Sequence, residues 1–303
     1  MKKTVFLLFV LLTLFVNAQE LFVATYNIRN KNTSDSLKGN AWVNRCPRIC
    51  GQINFEQPAV FGAQEVLFTQ LQDMLSMLDN YDYIGVGRDD GDKQGEYSAV
   101  FYKKDKVEKI NEGWFWLNET PDKAVKGWDA ACVRICTWGQ FKERISGEEF
   151  FFFTLHMDHV GIKARMESAK LIVRKIKEIA NGKKVIVTGD FNVDQTNEIY
   201  SVFTQSGLLK DSYECARFCF AENGTFNSFD PDLKTASRID HVFVSPSFEV
   251  DNYAVMTDCY WMPTDNGNNK SIKGHDAPQE IDFQKYIRRL PSDHYPVFVK
   301  LKF

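Results

Sequence analysis

The stretch KKVIVTGDFNVD (183–194) decides the fold, because an apolar run ends there abruptly in a packet of polar groups. Val185, Ile186 and Val187 are β-branched and too few for a helix, so they read as a buried strand, and Gly189 lets the backbone turn after it. Asp190 and Asn192 follow, with only Phe191 between them. Side chains two positions apart in an extended chain point to one side, so a carboxylate and a carboxamide here can both reach a crevice beyond the strand ends. That crevice is where α/β proteins bind ligands. An Asx turn capping the next segment fits a bare Gly-Asp-x-Asn equally well, and the rest of the chain has to separate the two readings.

Outward from this stretch, LFVATYNI (21–28) reads as a first buried strand with Asn27 near its C-terminal end, and residues 60–64 as a second that runs into Glu65. Residues 42–55 carry apolar side chains at helical spacing, and helices are also expected over 69–78, 165–179 and 197–206. Further strands fall near 83–87, 98–102, 108–115, 133–141, 150–156, 239–244, 248–255 and 297–301. Strand, helix, strand, helix, a run of strands and a second mixed half suit two sheets packed face to face rather than one doubly wound sheet. The fold expected is an α/β (α+β) four-layer sandwich, two packed mixed β-sheets flanked by helices. No Pro/Gly/Ser-rich linker or repeat interrupts it, so residues 19–303 are expected to form a single domain.

Composition narrows the function. The 303 residues are 44% hydrophobic and 25% charged, as in folded proteins with a large core. Lys2 and Lys3, the apolar run 5–16 and the small residue Ala18 fit a signal peptide over 1–18, with the mature chain starting at Gln19. The run is short for a membrane span, although a retained anchor is the alternative, and no cysteine marks a lipoprotein cleavage site. An exported monomer, periplasmic or secreted and without a membrane span, is therefore expected. Losing the leader removes two of the 37 basic residues and none of the 40 acidic ones, leaving a net charge near −5. Proteins that track a polynucleotide usually show a basic surplus, so the balance argues against that class of partner unless a local patch supplies it.

Six of the seven cysteines fall four apart, as Cys46/Cys50, Cys132/Cys136 and Cys215/Cys219, with Cys259 left over. If 132–136 is a strand, its two thiols lie about 13 Å apart and cannot bond to each other. The odd count leaves at least one thiol free, no Cys/His spacing suggests zinc, and buried free thiols are expected for several.

Asn27, Glu65, His156, Asp190 with Asn192, Asp240 with His241, and Asp293 with His294 each sit at, just past or just ahead of a strand end. Singly, each has an ordinary explanation: Glu65 a helix-leading acid, His156 a satisfied core histidine, Ser292-Asp293-His294 a turn. Recurring at corresponding ends, they point to one site that offers carboxylates to a hard cation and imidazoles for proton or charge work.

With these residues marked, the chain is similar over 21–303 to the endonuclease/exonuclease/phosphatase superfamily, the deoxyribonuclease-I-like metal-dependent phosphoesterases. The motifs, in the family's order, are YNIR (26–29), GAQEV (62–66), GEYSAVFY (95–102), TLHMDH (154–159), GDFN (189–192), RIDHVFV (238–244) and SDHYPV (292–297). FWLNETPD, GWDAA and RICTW within 115–138 resemble a bacterial exported branch near nocturnin and deadenylase-like proteins.

The resemblance implies that Glu65 is the main ligand of a Mg²⁺ or Mn²⁺ ion, with Asn27 and Asp293 near it. It implies that Asp190 orients or deprotonates the attacking water and that Asn192 donates to a phosphate oxygen. His294, its ring held by Asp240, would sit on the phosphate, with His156 facing it from the other half of the sandwich. In the deoxyribonuclease branch a glutamate supports that second histidine, and Glu96 stands at the matching place; an exposed strand-end acid is its other reading.

Beyond the motifs, Asp158 and His159 are expected to line the pocket and contact substrate, or Asp158 to pair with Arg165. Arg134 is expected to contact phosphate or to form a buried ion pair. Trp114, Trp116 and Trp128 suit base or sugar stacking, or the core. Residues 257–290, which contain DNGNNK (265–270) and a short helix expected over 279–289, are expected to form a lid.

The activity expected is that of an exported divalent-metal-dependent phosphoester hydrolase in which water attacks phosphorus in line on a small phosphorylated substrate. A secreted endonuclease or exonuclease is the alternative. A non-catalytic binding protein on the same scaffold is a second, which the presence of Glu65, Asp190 and His294 disfavours.

Overall fold

The β-branched and aromatic runs become strands, and the stretches with helical spacing become the helices outside them. The computed structural model describes residues 20–264, 272 and 274–303, so the expected leader and DNGNNK lie outside the described residues. The first half runs β1 (Glu20–Asn27), α1 (Thr33–Leu37), α2 (Trp42–Glu56), β2 (Val60–Val66), α3 (Phe68–Met77), β3 (Tyr81–Ile84) and β4 (Tyr97–Lys103). It continues through β5 (Val107–Trp116), β6 (Ile135–Glu143), β7 (Glu149–His156), α4 (Ile162–Ala180) and β8 (Lys184–Asp190). Next come α5 (Glu198–Thr204), β9 (Lys210–Asp211), α6 (Ser212–Cys215), β10 (Phe218–Phe220), β11 (Asp240–Val244) and β12 (Glu249–Val255). The hairpin strands β13 (Tyr260–Pro263) and β14 (Tyr286–Arg289) precede β15 (Val297–Lys302).

One sheet has seven strands in the order β10-β12-β15-β1-β2-β4-β3, and the other has six in the order β5-β6-β7-β8-β11-β9. Both mix parallel and antiparallel pairs, since β1–β2 and β7–β8 are parallel while β1–β15 and β8–β11 are antiparallel. Alternation along each strand splits the apolar side chains between two cores. Val23, Val60, Phe152, Ile186 and Val299 pack between the sheets. Ala24 and Phe61 face Ile49 and Ile53 of α2 and Met74 of α3, while Val187 and Phe243 face Ile172 of α4 and Phe203 of α5. The result is the expected four-layer sandwich, with central strands apolar along their whole length because both faces are covered.

The sheets approach closely at Gly62, where a Cβ would lie 2.2 Å from Thr154 Oγ1 and 2.6 Å from Thr188 Oγ1. Among the described residues no helix is long and apolar enough to cross a membrane. All seven cysteines are free; Cys46 and Cys50 lie on successive turns of α2 with their sulfurs 3.9 Å apart.

Two local expectations fail. Cys132, Val133 and Arg134 lie ahead of β6 rather than in it, because the N–H groups of Ala131 and Cys132 are taken by the Asp158 carboxylate. No helix forms over 279–289; Tyr286–Arg289 pairs with Tyr260–Pro263 instead. Ile281, Phe283 and Ile287 fit a period of two as well as one of four, and Arg288 and Arg289 are drawn to Asp232 and to the Lys38 carbonyl.

Candidate active site

Strand register assembles the site. The parallel β7–β8 pair sets His156 beside Asp190, and the antiparallel β8–β11 pair sets Asp240 on its other side. Gly189, still paired inside β8, holds φ at +146°; a Cβ on it would lie 2.1 Å from the Leu155 carbonyl oxygen, which only glycine tolerates. In the other sheet β1 and β2 run parallel with Asn27 beside Gln64. A bulge between Ala63 and Val66 leaves Glu65 as the extra residue, left-handed at φ 61°. Such a bulge re-aims a side chain, and here it turns Glu65 to the common end of the sandwich. Ser292 Oγ donates to the Asn27 carbonyl at 2.6 Å and brings Asp293 and His294 to the same place.

Arg45, fully buried on α2, ties this end together. It donates to the carbonyls of Ile28 at 2.7 Å, Pro291 at 2.9 Å, Asn40 at 2.9 Å and Arg29 at 3.1 Å.

The side chains then meet. Asn27 Nδ2 donates to Glu65 Oε1 at 3.1 Å and to Asp190 Oδ2 at 3.0 Å. Asp190 Oδ2 lies 3.3 Å from His156 Nε2 and 3.7 Å from His294 Nε2, and His294 Nδ1 is 2.8 Å from Asp240 Oδ2. Asp190 Oδ1 accepts the Asn192 N–H at 2.9 Å, so the Asx turn and the crevice are both present. Asn192, at φ 51°, also donates its amide to the Met157 carbonyl at 2.9 Å. A cavity of about 480 Å³ opens onto these groups, lined also by Arg88, Glu96, Arg134 and Phe226, the last edge-on to the His294 ring at 5.1 Å.

Burial and neighbouring charges set the protonation states. Burial and the adjacent Asp240 carboxylate push Asp190 up to about 7, against the pull of His294 and its hydrogen bonds. Burial opposes a charge on His294, yet the Asp240 and Asp190 carboxylates outweigh it and hold the imidazole up at about 10. His156 goes the other way, because burial and the guanidiniums of Arg134 and Arg88 press it well below its ordinary value. Asp293 is raised, chiefly by burial.

Several expectations need correcting. Glu96 does not support His156: it pairs with Arg88 and accepts from Asn30 Nδ2 at 2.9 Å, leaving His156 Nδ1 buried and without a partner among the described residues. Asp158 is 1% exposed and lies outside the cavity lining, its carboxylate filled by backbone N–H groups and by Arg134 Nε at 3.3 Å. Arg165 donates to the Asp158 carbonyl rather than to its carboxylate. Arg134 forms the buried ion pair of its second reading and also lines the cavity with His159, whose Nδ1 is 3.0 Å from its Nη2.

His241 points away, buried against Phe191 and Tyr200 with Nε2 on the Val193 carbonyl. Neither the three tryptophans nor any described residue of 257–290 lines the cavity, so the stacking and lid roles are not met among the described residues. Sequence reasoning missed Asn30 and Arg88, which lie just beyond the strands expected at 21–28 and 83–87, and Phe226, which lies in a loop. Arg29 was legible only as part of YNIR.

For a divalent cation, the oxygen donors are Glu65 and Asp293. Their Oε2 and Oδ2 converge on Arg29 Nη1 at 3.9 and 3.4 Å, two buried carboxylates facing one point of positive charge, which is donor chemistry that suits a hard ion. Asn27 fits less directly, because its oxygen accepts the Arg29 N–H at 3.0 Å and its nitrogen faces Glu65. Asp190, Asp240 and His294 form a second group whose possible ligand atoms lie within 4.8 Å of one another.

The sequence pattern of the Endonuclease/Exonuclease/phosphatase family matches residues 24–294. A mannosyl-6-phosphatase of Bacteroides thetaiotaomicron is 50% identical, with a TM-score of 0.86 over 93% of this chain and 100% of that one. A family protein of Bacteroides vulgatus is 37% identical, with a TM-score of 0.79 over 94% of this chain and 99% of that one. The catalytic domain of human Nocturnin with bound sulfate is 18% identical, with a TM-score of 0.65 over 94% of this chain and 93% of that one, a likeness of fold alone. On the match of pattern and fold, the chain belongs to the Endonuclease/Exonuclease/phosphatase family, whose members are metal-dependent phosphoester hydrolases.

Proposed function

We propose that the protein is an exported phosphomonoesterase that removes phosphate from a hexose phosphate of the mannose 6-phosphate type. The observation that carries this is the convergence on Asp190, which strand register places between His156 and Asp240 and the packing of the two sheets brings within hydrogen-bond reach of Asn27. The 50% identity to a mannosyl-6-phosphatase supports the substrate class.

Glu65 and Asp293 would hold a Mg²⁺ or Mn²⁺ ion, with Asn27 fixing Glu65. When bound, that ion supplies positive charge to the phosphoryl and leaving oxygens. Asp190 accepts the proton of the attacking water, and its raised affinity for a proton suits a base that must hold one briefly. His294, kept cationic by Asp240, and the Asn192 amide face the phosphoryl oxygens. A neutral His156 accepts or donates a hydrogen bond from the opposite side.

The nuclease alternative has less support. Apart from histidines, Phe226 is the single aromatic residue lining the cavity among the described residues, which offer successive bases no stacking platform. The cavity suits one sugar rather than a strand. The test is a side-by-side assay with Mg²⁺ or Mn²⁺ of mannose 6-phosphate, glucose 6-phosphate, bis-p-nitrophenyl phosphate and single-stranded oligonucleotide, with Glu65→Ala as blank. Turnover of oligonucleotide above that of every sugar phosphate would reject the proposal. Export is checked by N-terminal sequencing of the protein from the periplasm and medium, where a start at Gln19 is expected.

A further inference from the structure

The Arg88 side chain lines the cavity together with Glu96 and His156, and it is held more firmly than a surface arginine. Its N–H donates to the Glu96 carbonyl at 3.2 Å, its carbonyl accepts from Trp116 Nε1 at 2.7 Å, and its Nη1 is paired with the Glu96 carboxylate. Glu96 is itself fixed by Asn30 Nδ2. Among the described residues Arg88 Nη2 makes no hydrogen bond, and Nε is buried without one. Arg134 stands on the other flank of His156, with Nε and Nη2 committed to Asp158 and His159 and no bond at Nη1 among the described residues. Both arginines line the cavity with the carboxylates Glu65, Asp190 and Asp293. The cavity thus offers carboxylates suited to the cation and, where Arg88 and Arg134 form its wall, guanidinium N–H groups to spare.

A phosphomonoester dianion has three terminal oxygens, whereas a diester has two and one negative charge fewer. A planar guanidinium fork matches a pair of phosphoryl oxygens, and its charge persists at any working pH. We propose that Arg88, positioned by Glu96 and acting with Arg134, binds the terminal oxygen that only a monoester has free, so that this wall selects phosphomonoesters over diesters. The inference rests on the monoesterase reading above and assigns the selectivity within it to particular side chains. Glu96 acts as a positioning residue for an arginine in place of the imidazole it was expected to support.

The experiment compares kcat/KM for p-nitrophenyl phosphate and bis-p-nitrophenyl phosphate, between pH 5.5 and 8 with Mg²⁺, in the wild type, Arg88→Gln, Arg88→Lys and Glu96→Gln. Losing one charge-assisted contact should lower the monoester-to-diester ratio about 10- to 100-fold in Arg88→Gln. Arg88→Lys should fall between, as a point charge without the fork, and Glu96→Gln should raise KM for the monoester more than it lowers kcat.

A folded Arg88→Gln protein, checked by its melting temperature, with a ratio within twofold of the wild type overturns the assignment. Should that variant fail to fold, an unchanged ratio in Arg88→Lys overturns it equally. A wild type that prefers the diester overturns the monoesterase reading and this inference together. A wild type that prefers the monoester, with unchanged variants, overturns the arginine assignment alone.

Discussion

Replacing Asp158 by asparagine keeps the shape of the side chain and removes its charge, and the geometry sets what this costs. Oδ1 accepts from the N–H groups of Gly161 at 2.8 Å, Val160 at 3.0 Å and Ala131 at 3.1 Å, while Oδ2 accepts from Cys132 N at 3.1 Å and Arg134 Nε at 3.3 Å. An asparagine that keeps its oxygen toward the first group turns its NH₂ against Cys132 and Arg134, leaving two buried donors unmet, one of them a cation. Breaking a buried ion pair costs about 3–5 kcal/mol and the one further unmet donor about 1–3, so about 4–8 kcal/mol is expected in all. At about 2 °C per kcal/mol for a chain of this size, the melting temperature should fall by about 8–16 °C at neutral pH.

The pH dependence adds a second check. Burial works against the Asp158 charge, yet the four backbone N–H groups outweigh it and hold the carboxyl well below its usual range. A carboxyl depressed in the folded state contributes its full stability above the unfolded value, about 3.9, and loses it as pH falls toward the folded value. The gap between wild type and Asp158→Asn should therefore be constant from pH 8 to about 5 and narrow below about 4. Thermal melts and urea titrations across that range measure both quantities. A loss under about 1 kcal/mol at pH 7, or a gap that widens on acidification, would show that the carboxylate is not the brace described here.

Other substitutions should behave in distinct ways. Asp190→Asn should fold normally, with kcat down about 10²- to 10⁴-fold, as steady-state assays at saturating Mg²⁺ would measure. Arg45→Met leaves the carbonyls of Ile28, Asn40 and Pro291 without a donor, while the Arg29 carbonyl keeps Gln70 Nε2, and should lose about 3 kcal/mol or more in urea unfolding. Its effect on KM should exceed that of a surface arginine, because Ile28 and Pro291 flank site residues. Chelation by EDTA should abolish activity and Mg²⁺ or Mn²⁺ restore it. Saturating metal at 100 times its Kd should raise wild-type stability by about 2.7 kcal/mol, a rise that Glu65→Gln should largely lose.

Much of this protein is decided by the order of its residues alone. Strand periodicity is local, so 183–194 could be read as a buried strand ending in Asp190 and Asn192, and the same reasoning located Asn27, Glu65 and His156. The layered fold follows from those periods, because strands apolar on both faces must be covered on both. Tertiary structure decided which polar groups face each other. Glu96 binds Arg88 instead of His156, Asp158 turns to backbone amides, and His241 leaves the site although it adjoins Asp240. Arg45 reaches Pro291, 246 positions further along the chain, which no spacing rule discloses. A side chain's direction can be read from its own strand, but its partner depends on the packing of segments far away in sequence.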